Sequence, residues 1–252
     1  MPGGKLETRQ KILDATWRLM EARPNETVNM GDIAKAAGIS RQALYLHFDT
    51  RTRLMLATVQ YVDEVKGLNE RVRRFESAGS GIELLESCVE VWGEYIPEIY
   101  GLARALRNTR DSDEATAAAW NGSMSCVRDL CTHTIATLEK EDLLNDDWSR
   151  HEAVELMWLM ISIQSWEQLV HESKFTTLQF IQITQKILKK TLLKPDALAG
   201  DQPPERKSGK KPAQKNTKKT AKKTPKKSAK PSTGPSGKKA VQQLAKKSLK
   251  RL

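Results

Sequence analysis

An all-α protein is predicted by three features of the chain. Apolar residues recur at spacings of three and four over nearly all of the first 194 positions. Strand-like alternation bounded by turn residues appears nowhere convincingly. Turn formers and capping residues cluster at Arg23-Pro24-Asn25, Ala37-Gly38, Phe48-Asp49-Thr50, Ser77 to Gly81, Ile96-Pro97, Asp111-Ser112-Asp113 and Asn145-Asp146-Asp147, which divides the body into about nine helices. Pro195 and Gly200 end the pattern, placing the end of the folded body near 195 to 205.

The first helix carries the stripe Ile12, Leu13, Ala15, Thr16, Leu19 and Met20, an apolar face against which the next two helices can pack. Asn29 then caps a second helix, with Asp32 at the third helical position as a capping-box carboxylate and Val28 and Ile33 spaced as a hydrophobic staple. This helix runs about two turns to Gly38, whose missing Cβ permits a sharp reversal. Ser40 caps a third, short helix from Arg41 to His47. Two short helices joined by a tight glycine turn form a helix-turn-helix, whose second helix can enter a DNA major groove. Small Ala34 and Ala37 let the two helices approach, while Leu44 and Phe48 anchor the second to the core.

The order of these elements resembles the tetracycline-repressor (TetR) family of bacterial transcription regulators. The resemblance rests on Arg9 with Ile12-Leu13-Asp14-Ala15, on Ile33-Ala34-Lys35-Ala36-Ala37-Gly38-Ile39-Ser40, and on Leu44-Tyr45-Leu46-His47-Phe48 followed by Arg51 and Leu54. These motifs cover about 50 residues densely; the remaining body matches in size and helical layout. The usual glycine of the first loop is absent from Ala22 to Glu26, Val28 replaces a common threonine, and Arg51 stands where lysine is typical.

Side-chain chemistry assigns roles within the unit. Arg41 and Gln42 occupy the first turn of the second helix of the motif, where Arg can grip guanine O6/N7 and Gln adenine N6/N7. Ala43 is small enough to approach a thymine methyl, and Asn29 can add a helix-start contact to the DNA backbone. Tyr45, His47 and Arg51 resemble the family's phosphate contacts; His47 equally suits a neutral hydrogen bonder at the core edge.

Farther along, the segment Glu152 to Val170 reads as one helix, apolar on two sides. One stripe is Val154, Trp158, Ile161, Ser165 and Leu169, the other Leu156, Leu159, Ile163, Trp166 and Val170. The last helix repeats this, with Leu178, Ile181, Leu188 and Leu192 on one face and Phe180, Ile183 and Ile187 on another. A surface helix of a monomer needs one such stripe. The second faces suit either the centre of a larger core or a partner, and the resemblance implies a homodimer through these last two helices. A two-fold dimer would place its reading heads on pseudo-palindromic half-sites of double-stranded DNA, ~34 Å or more apart.

Aromatic residues gather in the central region at Trp92, Tyr95, Tyr100, Trp120 and Trp158, with Met124 one turn beyond Trp120. They either fill the core or enclose a small, flat apolar or aromatic ligand. The resemblance implies the second, with effector binding changing the separation of the heads. The division expected is 1–50 for the DNA-binding unit, 51–196 for effector binding and dimerisation, and 197–252 for a basic tail.

Charge separates the tail from the body. The chain carries +11 overall, yet residues 201–252 hold 18 basic and 2 acidic side chains, a net +16 that leaves −5 for the first 200. Lysine pairs recur with Thr, Ser, Ala and Pro, most regularly at Lys218-Lys219, Lys222-Lys223 and Lys226-Lys227, a composition like that of linker-histone tails that predicts disorder in isolation. Such lysines attract phosphate without reading bases, or serve only to solubilise. Lys238 to Leu252 differs in placing Val241, Leu244, Ala245, Ser248, Leu249 and Leu252 along one helical face. It suits docking on DNA, on protein or on an anionic membrane surface.

Other functions find little support. No apolar run approaches the ~20 residues that span a bilayer. Met1 to Lys5 shows no secretory stretch, so a cytoplasmic, nucleoid-associated protein is expected. Three cysteines, Cys88, Cys126 and Cys131, without a Cys-x-x-Cys pair suggest buried, reduced thiols. His47, His133, His151 and His171 lack two-ligand spacing, and there is no phosphate loop or nucleophile elbow. Glu83, Glu86, Glu90 and Glu94 read as a solvated face. Neither an enzyme nor a metal or other cofactor is expected. The expectation is a repressor-type regulator, and its rival an architectural nucleoid protein that coats DNA.

Overall fold

The computed structural model describes residues 2–198, and the fold there is all-α. The lysine-rich tail, and with it the expectation of disorder and the apolar face between Lys238 and Leu252, lies outside the described residues. The helices are α1 (Pro2–Ala22), α2 (Met30–Ala36), α3 (Arg41–His47), α4 (Arg51–Val65), α5 (Leu68–Glu76), α6 (Gly81–Thr109), α7 (Glu114–Lys140), α8 (Arg150–Met160), α9 (Ile163–Trp166), α10 (Thr177–Leu192) and α11 (Pro195–Leu198). A π-helical turn, Glu167–Glu172, continues from α9.

Helix starts obey local capping chemistry. Ser40, Thr50, Ser80, Asp113, Ser149 and Thr176 each accept a hydrogen bond from a backbone N–H of the first turn of the helix they open. This satisfies donors that an isolated helix leaves open. Ser149 with Glu152 and Thr176 with Gln179 complete reciprocal capping boxes.

Helices α6 and α7 form the longest packed pair, with α4 and α8 against α7, and α1, α5 and α10 against α6. At the crossing of α6 and α10 a Cβ on Gly93 would run into the Ile181 side chain, so glycine is what allows that approach. Helix α4 packs on both α1 and α7, and thereby belongs to the N-terminal unit and the body at once. The chain after α10 is pinned to the α7–α8 loop by an antiparallel bridge at Leu144 and Leu193, with Asn145 N–H donating to Leu192 C=O at 2.8 Å.

Three boundaries differ from those expected of the sequence. Pro97 does not end a helix: α6 runs through it. Proline has no N–H, so the Gly93 carbonyl loses its partner four residues on. The burial of Val89, Ile96, Leu102 and Leu106 on both sides holds the helix together across the lesion. Conversely, an unexpected break separates α4 from α5 at Gly67, which takes φ +67°. The single helix expected from Glu152 to Val170 is broken as well. Its first part stops at Met160, and Ser162 caps a new start by accepting from the Ser165 N–H.

The paired stripes of the last helices are buried unequally. On α10, Phe180, Ile181, Leu188 and Leu192 are buried, Ile183 is half-buried, and Leu178 and Ile187 are exposed. On α8, Ala153, Val154 and Met157 are buried while Leu159 is 59% exposed. No described helix is long and apolar enough to cross a membrane.

Candidate nucleic-acid interface and ligand cavity

The helix-turn-helix is built as its residues dictate. Asn29 Oδ1 accepts from the N–H groups of Gly31 (2.9 Å) and Asp32 (3.0 Å). The Asp32 carboxylate closes the loop onto the Asn29 side-chain amide at 3.0 Å, not onto its backbone as a capping box would. Val28 and Ile33 are both buried, as the staple requires. Gly38 takes φ +69°, a left-handed conformation that side-chain-bearing residues rarely adopt. Ser40 Oγ then accepts from Ala43 N–H at 3.0 Å and launches α3.

Helix α3 divides its residues between core and solvent. Leu44 and the adjoining Phe48 are buried, which fixes the helix on the N-terminal unit. Arg41 and Gln42 are exposed, and Ala43 is half-buried beside them. The Arg41 guanidinium lies over the Tyr45 ring, 5.8 Å from its centroid. Tyr45 is 41% exposed, and His47 half-buried. Both share a surface groove with Arg9, Leu46, Asp49 and Arg53. Leu46, 78% exposed, and Arg53, paired with Asp49 at 2.9 Å, join this surface; Leu46 lies within the 44–48 motif but without an assigned role, and Arg53 lies outside it.

Arg51 stands apart from this group. Its Nε donates to the Val28 carbonyl at 2.9 Å, and Nη1 donates to both carboxylate oxygens of Asp113. The guanidinium is thus engaged within the protein, between the loop before α2 and the cap of α7. Asn29 is similarly engaged, its side chain serving α2 and Asp32.

The second site is an apolar cavity of about 130 Å³ between α4, α5, α6, α7 and the α8–α9 junction. It collects five of the six residues expected from the sequence: Trp92, Tyr95, Trp120, Met124 and Trp158. Tyr100 is not among them. It stacks on His171 (ring centroids 4.7 Å apart), leans on Trp166, and donates its hydroxyl to Glu167, which Arg107 also holds at 2.8 Å. The Arg107 hydrogen bond keeps the Glu167 carboxyl below its usual range, and burial pushes the Tyr100 phenol up.

Trp92 and Tyr95 meet edge to face at 5.8 Å. Arg110 and Arg128 lie over the rings of Trp120 and Trp158, at 5.5 and 5.4 Å, and neither arginine lines the cavity. The lining also includes half-buried Cys126, so the expectation of three fully buried thiols holds for Cys88 and Cys131.

One charged side chain, Asp63 of α4, lines this cavity among the described residues. The Tyr95 hydroxyl donates to its Oδ1 at 2.5 Å. Burial pushes the Asp63 carboxyl up to about 6, and the same burial, with the carboxylate adjacent, raises the Tyr95 phenol. Asp63 is on α4 and its partner Tyr95 is on α6, 32 residues on, so the pair forms only when the helices pack.

Comparison with known proteins bears on both sites. Residues 12–58 match the family model described as "Bacterial regulatory proteins, tetR family". The chain is 26% identical over 108 residues to the nucleoid occlusion factor SlmA of Marinomonas sp. (strain MWYL1), covering 42% of this chain and 53% of that one. It is 46% identical over 48 residues to the HTH-type transcriptional regulator AcrR of Shigella flexneri, covering 19% and 22%. Its matches thus span about half and under a quarter of those relatives. A choline complex of a Saccharomonospora viridis protein described as a transcriptional regulator superposes with a TM-score of 0.60 at 17% identity, over 75% of this chain and 98% of that chain. The likeness to the solved structure is one of fold.

Proposed function

We propose that this chain, which carries a TetR-type helix-turn-helix domain at residues 12–58, is a sequence-specific, ligand-responsive transcriptional repressor that acts as a homodimer. The observation that carries the reading is the exposure of Arg41 and Gln42 side by side on the first turn of a helix held by Gly38, Ser40, Leu44 and Phe48. These two side chains read bases by bidentate hydrogen bonds. Ala43 approaches a thymine methyl, Tyr45 and His47 contact phosphate, and Asn29 offers the start of α2 to the backbone. Arg51 contacts phosphate only in an arrangement that releases it from Asp113.

The remainder of the chain serves these heads. Residues 1–50 form the reader, 51–196 bind effector and dimerise, and 197–252 add sequence-independent affinity through lysines. The unpartnered apolar side chains Leu159 and Ile187 on α8 and α10 support pairing with a second copy. The aromatic cavity supports a small apolar or aromatic effector, and the choline held by the Saccharomonospora viridis protein supports a small-molecule effector in this fold. Helix α4 links the two sites: Arg51 opens it and Asp63 lies twelve residues on, ~18 Å at 1.5 Å per residue. An effector that favours one position of α4 changes DNA affinity through its differential binding. The role is regulatory, with no catalytic step, and the place of action is the bacterial cytoplasm.

A second reading, an architectural protein of the nucleoid, is favoured by the net +16 of residues 201–252 and by the match to SlmA. Genome-wide occupancy of the full chain and of a chain ending at residue 200 separates the two. A few sharp, palindromic peaks that survive truncation support the regulator. Broad coverage that vanishes with the tail overturns it in favour of the architectural protein.

A further inference from the structure

Asp63 is a singular feature of the ligand cavity. Trp92, Trp120, Trp158, Met124 and the aliphatic side chains around them make the lining overwhelmingly apolar, with Asp63 as its charged member among the described residues. Among those residues, no lysine or arginine lines the cavity. The bond that reaches the Asp63 carboxylate comes from the neutral Tyr95 hydroxyl, and the neighbouring charge acting on it is Glu64, of the same sign. On the Tyr95 side, the Arg71 guanidinium passes 5.7 Å from the ring centroid and is itself bound to Glu94 and Glu98.

We infer that the cavity takes a small organic cation, an alkylated or aromatic ammonium, whose charge faces Asp63 and whose body packs against Trp92, Trp120 and Trp158. The inference rests on the reading of this cavity as the effector site and adds the charge of the effector.

Elementary electrostatics ranks the ligand classes. An anion meets Asp63 with like-charge repulsion in a poorly screened site. A neutral apolar molecule strips water from the carboxylate and supplies nothing in return, which is unfavourable. A cation supplies the missing countercharge, and the indole of Trp92, which lines the cavity, attracts it as well, whereas Trp120 and Trp158 already have Arg110 and Arg128 over one face. Size bounds the guest. Apolar cavities of ~150 Å³ hold a guest of about benzene's size, and this one measures about 130 Å³. A single ring or a trimethylammonium group suits it.

The test uses two probes of the same shape, tetramethylammonium and its uncharged carbon counterpart neopentane. Binding to the full-length protein is followed by tryptophan fluorescence and calorimetry. The cation is expected to bind at least about tenfold more tightly than the neutral probe, and Asp63→Asn to abolish that preference by weakening the cation alone. In this variant the amide oxygen can still accept the Tyr95 hydroxyl. The comparison of two probes on the unaltered protein stands whether or not the variant folds. If the neutral probe binds as well as the cation, or if Asp63→Asn weakens both equally, the inference fails while the cavity remains a ligand site. If neither probe binds the unaltered protein, the effector reading of the cavity falls and the inference with it.

Discussion

Arg51 and Asp113, 62 residues apart in the chain, are joined by a two-pronged ion pair in which Nη1 donates to both carboxylate oxygens. Arg51 is the first residue of α4, and Asp113 is the cap of α7, where its Oδ1 also accepts the Ala115 N–H at 3.0 Å. The side chains are 20% and 8% exposed. One contact therefore fixes the base of the reading unit to the helix that carries Trp120 and Met124.

Removing the acid should be costly. Asp113→Ala leaves a largely buried guanidinium without its countercharge and α7 without its cap. The expected loss of unfolding free energy is about 3 kcal/mol, between the cost of breaking a buried pair and that of a cap. Urea denaturation measures it; a loss under ~1 kcal/mol would class the pair with exposed ion pairs.

Arg41→Ala should weaken binding to the best operator by about 1–3 kcal/mol and relax preference at one base pair, and Gln42→Ala should do the same at its neighbour. Binding to a panel of single-base operator variants reads both effects. A uniform loss across the panel would make either residue a backbone contact.

Leu159→Glu combined with Ile187→Glu should split the dimer. Both side chains are exposed in the single chain, so the variant should keep its helical content. Sedimentation is expected to show a rise of about a hundredfold in the dimer dissociation constant, roughly 3 kcal/mol. An unchanged dimer would place the interface elsewhere.

Asp63 predicts an unusual pH profile. Its carboxyl is raised by burial from an ordinary 3.8 to about 6. As pH rises through 3.8 the unfolded chain ionises first, and folded stability falls until the folded group ionises near 6. The contribution is therefore present below pH 4 and lost above 6, amounting to at most about 3 kcal/mol. Asp63→Asn should remove this fall and leave the protein more stable than the unaltered chain at pH 7. Thermal unfolding from pH 4 to 7 checks it; parallel profiles would show that Asp63 is solvated.

Ending the chain at residue 200 removes a net +16. If roughly eight of its lysines meet phosphate, the slope of log affinity against log salt should flatten by about seven. Titrations on operator and on scrambled duplex should show the same change, because the tail reads no bases. An unchanged slope would exclude the tail from DNA.

The reading unit is legible in the sequence because its determinants are local. Asn29, Gly38 and Ser40 each act within a few residues of themselves, and Arg41 to His47 is bounded as expected. The body is legible where aromatic residues mark a cavity, and illegible where distance in the chain hides a partner. Nothing near Asp63 announces Tyr95, nor does anything near Arg51 announce Asp113. Pro97 misleads for the opposite reason: a strong local signal is overruled by burial along α6. Ser162 gives too weak a signal within an apolar run to reveal the break between α8 and α9.

That same proline has a mechanical meaning. Trp92, Tyr95, Ile96 and Ile99 of the cavity wall all belong to the turns around it, and the carbonyl of Gly93 there lacks its axial tie. One missing axial tie makes α6 easier to bend at this level than along the flanking lengths 81–92 and 98–109. A guest too bulky for the chamber would flex the rod at its midpoint, swinging the two lengths about the wall that had admitted it.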